Sequence, residues 1–339
     1  MVIAKPTTSL SNLLEQREQV FDVFVESTLE PFWQKQVTEA SFINSQQLTI
    51  NYAYTIPENA EQLIVVSPGR VEGYLKYKEL VYDLVQLGYA VAVIDHQGQG
   101  LSSRRLANPH KGYVEDFNDY VMDLHQLIDT ELRPKFAGKL YFLSHSMGGA
   151  IGLRYIQQYP DTFAKAVFSS PMWGLHAGPL PKSVAKGLVS SAAWVNNLVA
   201  KESSYFAGAK DYEPPTFDDN VLTHSQARYK YFRDTYEKTP ELKLGGITYN
   251  WLSQSIQALD AAQEDLSKVK TPLLVVQAGG DKVIDNAGQD LFCQKLQEYG
   301  HPCFSGKPLV IADAEHELFI EKDEMRNQLM TKIIEFYQN

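Results

Sequence analysis

The chain has 339 residues, 44% hydrophobic and 21% charged, an ordinary globular balance with length enough for one large domain or two smaller ones. Its 31 basic against 41 acidic residues leave a formal net charge of -10. That balance argues against nucleic acid as a partner, since such binding is dominated by phosphate neutralisation, and against non-specific adhesion to anionic lipid.

No apolar run reaches the roughly 18 residues of a membrane-spanning helix. Residues 1–11 lack the charged start and apolar core of a secretory signal, so the expected location is cytoplasmic. Cys293 and Cys303, the only cysteines, have no His or Cys partner at metal-ligand spacing and read as inert thiols in a reducing compartment.

In chain order, residues 13–33 read as a helix packed outside the sheet, with no assignable chemistry. Strands follow at 48–54 and 63–67, a helix at 74–87, a strand at 90–94 and a helix at 114–132. A strand at 140–143, a helix at 150–159 and a strand at 166–169 continue the alternation. After a gap come a strand at 273–277, a helix at 289–299, a strand at 309–311 and a helix at 322–337. This is the pattern of an α/β protein, a mostly parallel sheet flanked by helices. The gap, 172–267, is too long for an ordinary loop and reads as an inserted helical cap, leaving 1–171 and 268–339 as the core.

Ser144-His145-Ser146-Met147-Gly148-Gly149 carries the chemistry, because it lies between the strand 140–143 and the helix 150–159. A serine on such a tight turn presents its hydroxyl clear of the sheet, and the following N–H faces a developing oxyanion. Small neighbours are a steric requirement of the strained turn, and Ser144 stands where the first glycine of G-x-S-x-G is usual. A base and its orienting acid should follow in the order Ser, Asp or Glu, His. Asp281 follows the strand 273–277 and His316 the strand 309–311, which puts both at the carboxyl edge where open α/β sheets bind ligands.

Asp285 is the competing acid, with a helix N-cap as its other role. His145 is expected to point away from Ser146 and pack. His96, His110, His125, His176, His224 and His301 read as surface or capping histidines. The second oxyanion donor is expected from Ser67-Pro68-Gly69-Arg70, so the backbone N–H groups of Arg70 and Met147 are the candidate pair. Asp95 to Ser102 superficially looks like a phosphate loop but lacks its spacing and reads as a structural turn.

The elbow, the Pro-Gly-Arg loop and the stretch from Asp95 to Ser102, with Gln97 in place of Arg in D-x-R-G-x-G-x-S, resemble the α/β-hydrolase superfamily. Asn220-Val221-Leu222-Thr223-His224-Ser225, Arg228-Tyr229 and Gly245-Gly246-Ile247-Thr248-Tyr249-Asn250-Trp251 resemble the bacterial lysophospholipases related to monoacylglycerol lipases, as do Pro68 to Glu72 and Phe117 to Tyr120. Ser144 for glycine or alanine and Pro68 for histidine are departures that remove no catalytic atom. The resemblance implies Ser146 as nucleophile, Asp281 as acid and His316 as base.

The expected function is a serine ester hydrolase acting on lysophospholipids first and monoacylglycerols second, with no metal or organic cofactor. A carboxylesterase, a C–C bond hydrolase and a non-enzymatic binding module are the alternatives. Trp251 and Tyr249 are expected to line the acyl pocket. Residues 172–201 contain Lys182, Lys186 and Lys201 but no acid, and Val184, Leu188, Trp194, Val195, Leu198 and Val199 can share one side of a helix. That side is the expected peripheral membrane contact, on the inner face of the cell membrane, against the ordinary alternative of an apolar face packed inward.

Overall fold

A computed structural model describes residues 16–174 and 182–339, the side chains of 182–185 and 197 excepted. One sheet holds β1 (Thr38–Ile43), β2 (Thr49–Thr55), β3 (Gln62–Ser67), β4 (Ala90–Ile94), β5 (Lys139–His145), β6 (Lys165–Ser169), β7 (Leu273–Ala278) and β8 (Leu309–Ile311). The spatial order is β1-β2-β4-β3-β5-β6-β7-β8, antiparallel as far as β4 and parallel from there.

The helices are α1 (Phe21–Phe24), α2 (Glu30–Gln36), α3 (Lys78–Gln86), α4 (Asn118–Gln126), α5 (Met147–Gln158), α6 (Lys182–Val199), α7 (Gln226–Lys238), α8 (Tyr249–Glu264), α9 (Asn286–Glu298) and α10 (Asp323–Gln338). Alternate strand residues divide the core between the two faces. Leu63, Val65, Phe142 and Val275 pack with Leu124 of α4, Ile151 of α5 and Phe292 of α9. Ile64, Val66, Leu143 and Val276 pack with Trp33 of α2, Leu84 of α3 and Ile333 of α10. Burial on both faces is why the central strands read as continuous apolar runs.

Strand β1 is absent from the sequence reading for a physical reason. It is an edge strand with only Phe42 buried, so neither an apolar run nor alternation marks it. Between β6 and β7 the described residues carry α6, α7 and α8 and no strand, apart from isolated bridges Gly112↔Ile247 and Tyr205↔Thr248. Helix α7 is tied to the core through Arg228. Its buried guanidinium donates to Glu79 of α3, Asp323 of α10 and Glu18 at the start of the N-terminal helical run. Removing one partner of such a cluster leaves an uncompensated buried charge, which holds α7 and the N-terminal run against the sheet.

The cysteines differ from expectation. Cys293 on α9 and Cys303 form a disulfide, with Cα atoms 5.6 Å apart and a sequence separation of 10. Two cysteines are too few to signal a disulfide framework by themselves, and only the return of the chain after α9 brings these two together. The bond staples the excursion from β7 to β8, and closing so short a loop contributes about 3 kcal/mol in the chain-entropy account. Alkylation under denaturing, non-reducing conditions should therefore label neither cysteine, and Cys303→Ala should lower the unfolding free energy by about that amount. Quantitative labelling of two thiols in unreduced protein would refute the bond.

Candidate active site

Strand β5 ends at His145 and α5 begins at Met147, which forces the intervening Ser146 into φ 49°, ψ -116°. Strain of this kind is held only where packing over-determines it. Here a Cβ on Gly148 would stand 2.0 Å from the Ser67 carbonyl oxygen, and one on Gly149 would stand 2.5 Å from Pro171. The elbow therefore admits no larger residue at either place. Ser144 is fully buried, and its hydroxyl donates to the Val167 carbonyl of β6 at 3.3 Å, which accommodates a serine where glycine is usual.

Residues widely separated in the chain converge on Ser146. Its Oγ lies 3.0 Å from His316 Nε2, and His316 Nδ1 lies 2.7 Å from Asp281 Oδ2. The other carboxylate oxygen of Asp281 accepts the N–H groups of Val283 at 2.8 Å and Ile284 at 3.1 Å. Burial pushes the Asp281 carboxyl up, but His316 and these two N–H groups outweigh it and hold the pKa below the ordinary value. Asp285 is elsewhere, capping α9 by accepting the Ala287 N–H. A hydroxyl in line with an imidazole and an ionised carboxylate can lose its proton as it attacks a carbonyl.

The loop Gly69-Arg70 packs against the elbow, since a Cβ on Gly69 would lie 3.1 Å from Ser146 Cβ. Neither the Arg70 nor the Met147 N–H has an acceptor among the described residues. Next in the loop, Val71 has φ 66°, a strained position for a β-branched side chain. It is held by Tyr236 of α7, whose hydroxyl donates to the Val71 carbonyl at 2.6 Å. Gln99 donates to the carbonyls of Gly69 and Glu72. The turn from Asp95 to Ser102 thus supports the site, and Asp95 itself ties the N–H groups of Tyr74 and Leu101.

A buried polar cluster, which the sequence reading missed, connects the loops. Glu72 accepts from the Gly69 N–H, the Tyr77 hydroxyl and Lys76. It also faces His145 Nδ1 at 3.1 Å, while His145 Nε2 faces the His316 carbonyl at 3.2 Å. Lys76 donates as well to Glu317, next to His316. Acceptors facing both ring nitrogens favour the protonated form of His145. Burial opposes its charge, but Glu72 prevails and raises the pKa. Burial likewise opposes ionisation of Glu72, yet Lys76 and His145 hold its pKa well below the ordinary value. His145 is therefore a polar link between the elbow and the His316 loop rather than simple packing. The one available signal was Glu72 lying three residues beyond Gly69.

His96, read from the sequence as surface or capping, is fully buried 2.9 Å from the Ser67 hydroxyl, and burial lowers its pKa to about 3. His176 lies outside the described residues. Trp251 is buried, with its indole N–H directed to the Tyr120 hydroxyl at 3.2 Å and the Arg70 guanidinium 5.9 Å from its ring centre. Tyr249 packs edge-on against Phe206.

The family described as Serine aminopeptidase, S33, matches residues 58–323. The chain belongs to this family of serine hydrolases. Over 323 residues it is 37% identical to the lysophospholipase L2 of Escherichia coli (strain K12), covering 95% of this chain and 94% of that one. The monoglyceride lipase of Homo sapiens is 28% identical, with 80% of each chain covered. Among solved structures, the Bacillus coagulans carboxyl esterase gives a TM-score of 0.69 at 16% identity, covering 89% of this chain and 98% of that one. The Paleococcus ferrophilus monoacylglycerol lipase gives 0.61 at 18% identity, covering 88% and 97%. The S33 chain thus has the α/β-hydrolase fold.

Proposed function

We propose that the protein hydrolyses the acyl ester of single-chain lipids, lysophospholipids first and monoacylglycerols second, through an acyl-enzyme on Ser146. The hydrogen-bonded line Ser146, His316, Asp281 carries this reading, and the 37% identity to a lysophospholipase along nearly the whole chain supports the substrate class.

Ser146 Oγ attacks the ester carbonyl while its proton passes to His316 Nε2. The oxyanion is received by the N–H groups of Arg70 and Met147, and His316 then protonates the departing glycerol oxygen. Water, deprotonated by the same imidazole, cleaves the acyl-enzyme. Residues 172–267 serve as the cap, with Trp251 and Tyr249 on the acyl side. Incubation with oleoyl lysophosphatidylcholine, lysophosphatidylethanolamine and monoolein should release oleate from all three, fastest from a lysophospholipid. Cleavage restricted to short p-nitrophenyl esters would defeat the lipid assignment.

Helix α6 supports contact with a lipid surface. At 3.6 residues per turn, Leu188, Trp194, Val195, Leu198 and Val199 fall within an arc of about 140°. All five are exposed, Trp194 at 65% and Val199 at 79%, while Ala193 and Asn196 on the opposite side are buried. An apolar side turned outward suits a bilayer, and Lys201 follows it just beyond the helix in a stretch without acids, while Lys186 lies on the opposite side and pairs with Asp260. Releasing about a dozen methylenes into water would cost about 10 kcal/mol, so taking the chain directly from a bilayer favours turnover.

Trp194→Glu with Leu198→Glu should weaken vesicle binding and depress oleoyl ester hydrolysis far more than acetate hydrolysis. Unchanged vesicle binding by the folded variant would refute docking. No helix among the described residues is long and apolar enough to cross a membrane, so the proposed contact is peripheral. A cytoplasmic face requires that the Cys293–Cys303 bond be sealed from reductants, and both residues are 1% exposed.

A further inference from the structure

Arg70 has an unusual charge environment. Buried Arg17, Arg228 and Arg326 each meet carboxylates. Arg104, which has no ion pair among the described residues, spreads its donors over the carbonyls of Pro109, Ser102, Gly100 and Glu241. Arg70 makes one hydrogen bond, from Nη1 to the Gly245 carbonyl at 2.7 Å, and has no carboxylate within ion-pair distance among the described residues. The residue as a whole is half-buried. Its head group is nevertheless desolvated, which lowers its pKa to about 10, a fall that Tyr120 only partly offsets. It stays cationic at neutral pH.

Position gives this charge its meaning. The guanidinium lies where three segments meet: the loop beside Ser146, Gly112, and the Gly245 to Trp251 stretch entering α8. The preceding residue, Gly69, packs against the elbow. From Arg70 Cα to its guanidinium the side chain spans a run of bonds comparable to that from the acyl ester oxygen of a glycerolipid to its phosphorus. A planar fork with spare donors in a poorly solvated wall matches a phosphate, and it opposes the ammonium of a peptide N-terminus.

We propose that the Arg70 guanidinium recognises the phosphate of a lysophospholipid head group at the Ser146 site. The inference rests on the ester-lipid reading above and sharpens it, making Arg70 the residue that separates lysophospholipids from monoacylglycerols. Its backbone N–H survives side-chain substitution, so an oxyanion defect and a head-group defect are separable. Loss of a charge-assisted pair reduces selectivity; a repositioned loop slows both substrates alike.

The test compares kcat/KM for oleoyl lysophosphatidylcholine and monoolein in the full chain, Arg70→Gln and Arg70→Lys, with thermal unfolding recorded for each. Arg70→Gln should lower the lysophospholipid-to-monoolein ratio by about 10- to 100-fold, with Arg70→Lys between it and the parent. If the parent cleaves neither lipid, the ester-lipid reading itself fails. If the parent cleaves both and Arg70→Gln leaves the ratio within about twofold, head-group recognition is overturned, even where both rates fall. Inorganic phosphate, added to monoolein turnover, should inhibit the parent weakly and Arg70→Gln less. Phosphate inhibition removed by Arg70→Gln at an unchanged lipid ratio would identify a free-anion site and overturn the head-group assignment.

Discussion

Ser146→Ala should abolish ester turnover and labelling by a fluorophosphonate probe while leaving the thermal midpoint nearly unchanged. The substitution removes only the hydroxyl, and the backbone at φ 49° is held by Gly148, Gly149 and the Met172 N–H donated to the Ser146 carbonyl. Residues that act as a unit fail as a unit, so His316→Ala should cost about as much, roughly 10⁶ in kcat. It opens space beside His145, but the His316 carbonyl that His145 reaches belongs to the backbone and remains. What survives in either variant is binding and the two N–H groups of Arg70 and Met147. Active-site titration should read zero sites for Ser146→Ala against one in the parent. A parent-like rate in that variant would remove Ser146 from the chemistry.

The legible parts of the molecule are those where one local rule decides. Strands such as Ala90–Ile94 and Leu309–Ile311 are bounded apolar runs, and both lie within the sheet as read. The elbow is legible because sterics at Gly148 and Gly149 constrain residue type within a few positions. Asp281 and His316 are marked by their place after strands, and they stand in hydrogen-bonded line with Ser146. Sequence order does not encode lateral contact between distant loops.

Glu72, Lys76, His145 and Glu317 form one cluster from three separate segments, and none announces the others. The disulfide escapes for the same reason, since the loop beyond α9 decides whether Cys303 returns to Cys293. On α6 the apolar side was visible as periodicity. Its direction was not, because periodicity defines a face without saying what the face meets. His96 shows the converse: its polar type suggests the surface, yet the fold buries it beside Ser67.

Asp281→Asn should reduce kcat by about 10⁴ with little loss of stability. The asparagine carbonyl can still accept the Val283 and Ile284 N–H groups, so the loop keeps its shape. Its amide NH₂ would then face His316 Nδ1, 2.7 Å away in the parent. Two donors cannot share that line. The imidazole must place its proton on Nε2, where it faces Ser146 Oγ and can no longer accept the hydroxyl proton. Asp285→Asn makes the opposite case. Asparagine caps a helix about as well as aspartate, so acceptance from Ala287 continues and activity should stay within about twofold of the parent. Kinetics of the two variants on one oleoyl ester decide between them. Greater damage from Asp285→Asn would transfer the orienting role to Asp285 and leave Asp281 as a loop-forming residue.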